Sequence, residues 1–145
     1  MAAPRERVWA DLRDLASHVE WMNDALAIDF VSPDGRREGV GTEFICLTKV
    51  GPIRLRDRMT VTEWVEGSCI GIRHSGVVTG TGRLRVQRLR RPRWRSRRRH
   101  ESKVSWEERL TLPWWMGGPL GGLVARPILT HIWKGSLHNF SDRFR

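Results

Sequence analysis

Between Ile53 and Glu63 the side chains alternate without a fault. Ile53, Leu55, Asp57, Met59 and Val61 fall on one side, and Arg54, Arg56, Arg58, Thr60 and Thr62 fall on the other. Period two is the signature of a strand with one buried and one wet face. Such a strand needs a sheet whose apolar face is covered by another layer and whose other face meets water. Most of the remaining chain reads as partners for it. Thr42 to Val50 sets Phe44, Cys46, Thr48 and Val50 against Glu43, Ile45, Leu47 and Lys49, and Gly51-Pro52 supplies a hairpin turn. After a turn at Glu66-Gly67, Cys69 to Ser75 predicts a strand with Ile70, Ile72 and His74 on one face. Thr79 to Arg90 predicts another, with Leu84 and Val86 inward. Glu101 to Leu112 predicts the last, with Val104, Trp106, Glu108, Leu110 and Leu112 on one face.

Helical spacing appears only at the ends. Pro4 stands where a helix can start, followed by Val8, Trp9, Leu12 and Leu15. His18 to Leu26 is expected to continue as a second short helix. At the other end Leu129, Trp133, Leu137, Phe140 and Phe144 recur at steps of three and four, the spacing of one helix face. Pro127 is expected to begin, break or kink that helix, and Trp114 to Gly122 is expected to be irregular. The layout is α+β: two short helices, a meander of about five or six antiparallel strands, and one long C-terminal helix. At 145 residues it is expected to form a single domain, 1–145, long enough to bury a core or enclose a cavity.

The formal charge of +10 is local. Residues 83–103 carry eleven Lys/Arg and one acid, Glu101, so the rest of the chain is neutral. This predicts a basic hairpin loop at about 88–103, in which the adjacent guanidiniums of Arg97, Arg98 and Arg99 favour an extended, solvated backbone. Arg91, Arg93, Arg95 and Arg97 to Arg99, with Trp94 among them, form a candidate site for a polyanion: an anionic membrane or a nucleic acid. The bland alternative is a loop tip without a partner. Salt separates the two, because polyanion binding weakens steeply with ionic strength.

Several chemistries find no motif. Two cysteines are too few for a disulfide scaffold or a zinc site, and His74, His100, His131 and His138 lack ligand spacing, so no metal and no cofactor are expected. Gly80-Thr81-Gly82 lacks the lysine and the following helix of a phosphate loop, and there is no G-x-S-x-G elbow. The first residues hold no apolar signal core. Trp114 to Trp133 is the one apolar stretch of membrane-spanning length, but it holds four Gly, two Pro and Arg126. A soluble, cytoplasmic protein is the expectation.

Ala3-Pro4-Arg5-Glu6-Arg7-Val8-Trp9-Ala10, followed by His18-Val19-Glu20-Trp21-Met22, resembles the opening of the START-like, or SRPBCC, superfamily. Polyketide cyclase/dehydrase-like proteins and birch-pollen-type allergens are among its members. Gly39-Val40-Gly41-Thr42, Val61-Thr62-Glu63-Trp64, Val104-Ser105-Trp106-Glu107-Glu108 and the stretch from Gly117-Gly118-Pro119-Leu120-Gly121 to Ala125-Arg126-Pro127 extend the resemblance over nearly the whole chain except the basic loop. It implies a helix-grip fold: a curved antiparallel sheet around the long C-terminal helix, with an apolar cavity between them. The usual strand before the first helix has no counterpart after Met1: either the start is assigned too late, or the sheet is short of that strand and exposes a neighbouring edge.

The cavity wall implied in this way comprises Phe44, Cys46, Leu55, Met59, Ile72, Leu84, Trp106, Leu110, Trp133 and Leu137, with His131 also on the helix; it suits an aromatic ring system or an acyl chain. Without the resemblance, the same stripes read more simply as packed core. Asp57 and Glu108 interrupt apolar strand faces, and His74 lies on the same side. Desolvation raises the proton affinity of a carboxylate, so this set is a candidate for general acid–base work in an aldol cyclisation or dehydration. The ordinary alternatives are an ion pair of Asp57 with Arg56 or Arg58, and a solvent-facing His74. Three functions therefore stand side by side: a carrier of an apolar small molecule or lipid, a cyclase or dehydratase, and a regulatory protein acting through its basic loop.

Overall fold

The computed structural model describes residues 1–89 and 101–145. Six strands follow one another as an antiparallel meander in the order β1 to β6: Ala25–Phe30, Glu43–Val50, Ile53–Val65, Cys69–Ser75, Thr79–Arg88 and Ser102–Thr111. Helix α1 (Arg5–Leu12) and a 3-10 helix (Leu15–Glu20) precede the sheet, and helix α2 (Gly118–Asp142) follows it. The architecture is α+β, with a curved six-stranded sheet and a long C-terminal helix.

The alternation of β3 is realised: Asp57, Met59 and Val61 are buried, while Arg54, Arg56 and Arg58 are exposed on the outer face. Lys49 and Arg54 end as register partners at the β2–β3 hairpin, whose turn is made by Gly51 at φ 58°.

Two expectations need correction. His18 to Leu26 is not a second helix. The 3-10 turn ends at Glu20, and β1 starts at Ala25. A register shift between Ala25 and Ala27 interrupts the alternation there, so the short segment carries no clean period of either kind. Likewise, Trp114 to Gly122 is more regular than expected, and Pro127 neither begins nor breaks the helix. A 3-10 turn (Trp114–Met116) ends at Gly117 with φ 91°, and α2 is one continuous helix from Gly118 to Asp142 with Pro127 inside it. Gly121 is required where it stands, because a Cβ there would lie 2.0 Å from the Met116 carbonyl oxygen.

The core occupies one end of the sheet. Val8, Leu12, Trp21, Val61, Ile70, Val86 and Phe140 are fully buried there. Trp21 lies at the centre, 4.7 Å from the Phe140 ring and 6.2 Å, edge to face, from Trp106. The C-terminal half of α2 is fastened to this core. Ser136 Oγ accepts the Asn23 backbone N–H at 2.9 Å, Asn139 Nδ2 donates to the Trp21 carbonyl, and Arg143 pairs with Asp11 and Glu20. At the far edge of the sheet, Met1 and Ser102 exchange backbone hydrogen bonds at the start of β6.

Candidate functional site

The N-terminal half of α2 stands off the sheet, and the space beneath it is a cavity of about 480 Å³. Its wall is built from alternate residues of successive strands, since only every second side chain reaches the concave face. From β2 come Phe44, Cys46, Thr48 and Val50; from β3, Ile53, Leu55, Asp57 and Met59. From β4 come Ile70, Ile72 and His74; Leu84 comes from β5, and Trp106, Glu108 and Leu110 from β6. Helix α2 adds Val124, Ala125, Ile128, Leu129 and Trp133. Trp106 and Trp133 stand 5.5 Å apart and join the cavity floor to the aromatic core.

Of the expected lining, Phe44, Cys46, Leu55, Met59, Ile72, Leu84, Trp106, Leu110 and Trp133 are in place. Two residues are not. His131 is exposed on the outer side of α2, and Leu137 lies half-buried beyond the cavity. Both belong to the correct helix but to the wrong arc of it, which a four-residue step alone does not settle. Arg91, Arg93, Trp94, Arg95, Arg97, Arg98 and Arg99 lie outside the described residues.

The polar groups are not scattered through the apolar wall. Glu108 Oε1 accepts the Trp106 indole N–H at 2.7 Å. Its other oxygen, Oε2, faces His74 Nε2 at 3.3 Å; the side chains are only 4% and 9% exposed. Although the two atoms are within ion-pair distance, neither has a partner in hydrogen-bond geometry. His74 is therefore buried beside a carboxylate rather than facing solvent. Asp57 also points inward and has neither Arg56 nor Arg58 as partner; its Oδ1 accepts the Val78 backbone N–H at 3.1 Å. Gly76 permits this, because a Cβ there would approach Asp57 Oδ1 to 2.5 Å. Asp57 thus anchors the β4–β5 turn over the cavity wall.

A fourth polar group, Asp24, is not among the candidates that the sequence offers. Burial pushes its carboxyl above the usual carboxylate range, and the nearby Glu108 charge adds to the rise. The Trp133 indole N–H donates to it and opposes the shift, while its Oδ1 has no hydrogen-bond partner. Asp24 sits just before β1, in the stretch expected to be helical, so no strand alternation points to it. Cys46 is a desolvated thiol in the same wall, pushed up to about 12 mainly by burial, and so protonated and unreactive at neutral pH. Among the described residues no group of His, Cys, Asp or Glu is placed to hold a metal ion, and no helix is long and apolar enough to cross a membrane.

No family model matches the chain, and no curated protein matches it. Among solved structures, the crystal structure of TTHA0849 from Thermus thermophilus is similar in fold, with a TM-score of 0.70 at 17% identity over 99% of this chain and 91% of that one. At that identity the likeness is one of fold alone, and it extends over essentially the whole α+β layout.

Proposed function

We propose that the protein binds an apolar small molecule or lipid in the cavity between sheet and helix, as a START-like protein of helix-grip type. One observation carries the reading: a space of about 480 Å³ is walled mainly by aliphatic and aromatic side chains, with Asp24, Asp57, His74 and Glu108 as the few ionisable residues of its lining beside Arg83 and His18. A solid core leaves no space of this size, because protein interiors pack to the density of organic crystals. A ligand with an apolar body fills such a space, and a hydroxyl, amine or carbonyl group on it suits the few polar side chains of the lining. Titration with an uncharged naphthalene-type fluorescent probe tests this. Wild-type protein takes up one probe per chain, and Ala125→Trp, which projects an indole into the cavity, abolishes uptake. Absence of uptake by the wild type contradicts the reading.

A second reading rests on the 3.3 Å approach of His74 to Glu108. This pair is suited to dehydrating a β-hydroxy ketone of polyketide type. One group removes the proton beside the carbonyl, the other protonates the departing hydroxyl, water leaves and a carbon–carbon double bond forms. Glu108→Gln then stops turnover while leaving probe uptake intact.

A further inference from the structure

The outer side of α2 changes character along its length. Leu120 and Leu123 are 75% and 68% exposed, Val124 at the rim of the cavity wall is 70% exposed, and Trp114, just before the helix, is 86% exposed. Continuing along the same side at steps of three and four come His131, Lys134 and His138, all exposed. An apolar end is therefore followed by a polar one, in which Lys134 is the fixed cation and His138 lies 3.8 Å from Asp142. Ile53, 41% exposed at the tip of the β2–β3 hairpin, lines the cavity together with Val124 and Ile128, which places hairpin tip and helix start at one cavity mouth. On the outer face of that hairpin, Lys49, Arg54 and Arg56 have no acidic partner among the described residues, and neither do Arg126 and Lys134 on the helix.

We propose that this end of the molecule docks onto an anionic lipid surface, with Trp114, Leu120 and Leu123 entering the headgroup boundary and Lys49, Arg54, Arg56 and Arg126 meeting the lipid phosphates. Exposed apolar side chains crowned by indoles are what the boundary between headgroups and acyl chains accepts, and a collar of unpaired cations is complementary to a negative leaflet. The same collar disfavours a second copy of the chain as the occupant, since two like-charged rims would face each other. The cavity mouth then opens toward the bilayer, the source from which an apolar ligand can enter without crossing water.

Flotation with vesicles of phosphatidylcholine, with and without about 30% phosphatidylglycerol, tests this. The wild type floats with the anionic vesicles. Trp114→Ser/Leu120→Ser/Leu123→Ser, which alters exposed residues outside the cavity wall, lowers the bound fraction about tenfold or more while naphthalene-probe uptake is unchanged. Arg54→Glu/Arg126→Glu, which leaves the apolar residues in place, lowers it as well. Three results would overturn the proposal: a wild type that does not float, a triple variant that floats like the wild type, or a dimer in solution that the triple variant dissolves while no vesicle is bound. Because probe uptake is read separately, failure of docking and failure of the cavity reading are told apart.

Discussion

Glu108 and Gly82 face each other in register across β6 and β5, and the carboxylate of one occupies the space that a side chain on the other would fill. An ideal Cβ on residue 82 would stand 2.4 Å from Glu108 Oε1 and 2.7 Å from Oε2. The glycine is therefore what allows a carboxylate to lie against the sheet, beside His74, instead of extending into the cavity.

It follows that Gly82→Ala displaces the Glu108 carboxylate, costs about 1–3 kcal/mol through crowding, and weakens probe uptake. Urea denaturation gives the cost. Glu108→Ala removes the obstacle, so the double variant Gly82→Ala/Glu108→Ala loses less stability than the sum of the two single changes. Additive losses would place the carboxylate elsewhere.

Asp57 has a different part from Glu108. With its carboxylate holding the Val78 N–H, Asp57→Ala leaves a buried backbone donor without a partner and costs about 1–3 kcal/mol. Asp57→Asn keeps an acceptor oxygen and stays near wild-type stability. If the cavity carries out proton transfer, turnover survives Asp57→Asn and is lost in Glu108→Gln; a reversed pattern would exchange their roles.

Helix α2 is fastened at one end only, and substitutions along it divide accordingly. Phe140 is fully buried against Trp21, so Phe140→Ala costs about 3–5 kcal/mol. Val124, largely exposed at the cavity mouth, tolerates Ala within about 0.5 kcal/mol. Comparable costs at both positions would mean that the N-terminal half of the helix packs as tightly as the C-terminal half.

Stability should also respond to pH through His18. Its Nε2–H donates to the Leu12 carbonyl at 2.8 Å, and complete burial pushes the imidazole down to about 4, from an ordinary 6.5. Between those values the unfolded chain holds the proton and the folded one does not. This contribution is therefore full above pH 6.5 and is lost as pH falls toward 4, by about 3 kcal/mol in all. His18→Gln retains a donor without the titration. In urea unfolding at about pH 7 and about pH 4.5, on either side of the ordinary imidazole value, the wild type loses more stability than the variant. Equal losses would mean that His18 is solvated.

The strands carrying the cavity wall are legible from their alternation, cleanest in β3 and weaker in β2, where Ile45 and Leu47 make the second face partly apolar: Asp57 stands out among Leu55, Met59 and Val61, and Glu108 between Trp106 and Leu110. The first strand is not, since the irregular pairing at Ala25 and Ala27 erases the period on which such a reading depends. Asp24 is lost with it. On α2, helical spacing identifies the half-buried Trp133 and the buried Phe140 but does not say where the helix leaves the sheet, and so it places His131 and Leu137 in the wall. The contact of Glu108 with His74 lies beyond the sequence for a simpler reason. It depends on two strands that are neighbours of the same third strand, and on the room left by a glycine between them.

Whether the cavity holds an apolar ligand is tested most directly by native mass spectrometry of the protein purified from its own host. The expected result is a one-to-one adduct that dissociates on denaturation and is missing from Ala125→Trp. The released compound extracts into organic solvent and is apolar, with at least one hydroxyl, amine or carbonyl group. A bare chain mass, together with no uptake of any apolar probe by the folded protein, would contradict the cavity reading.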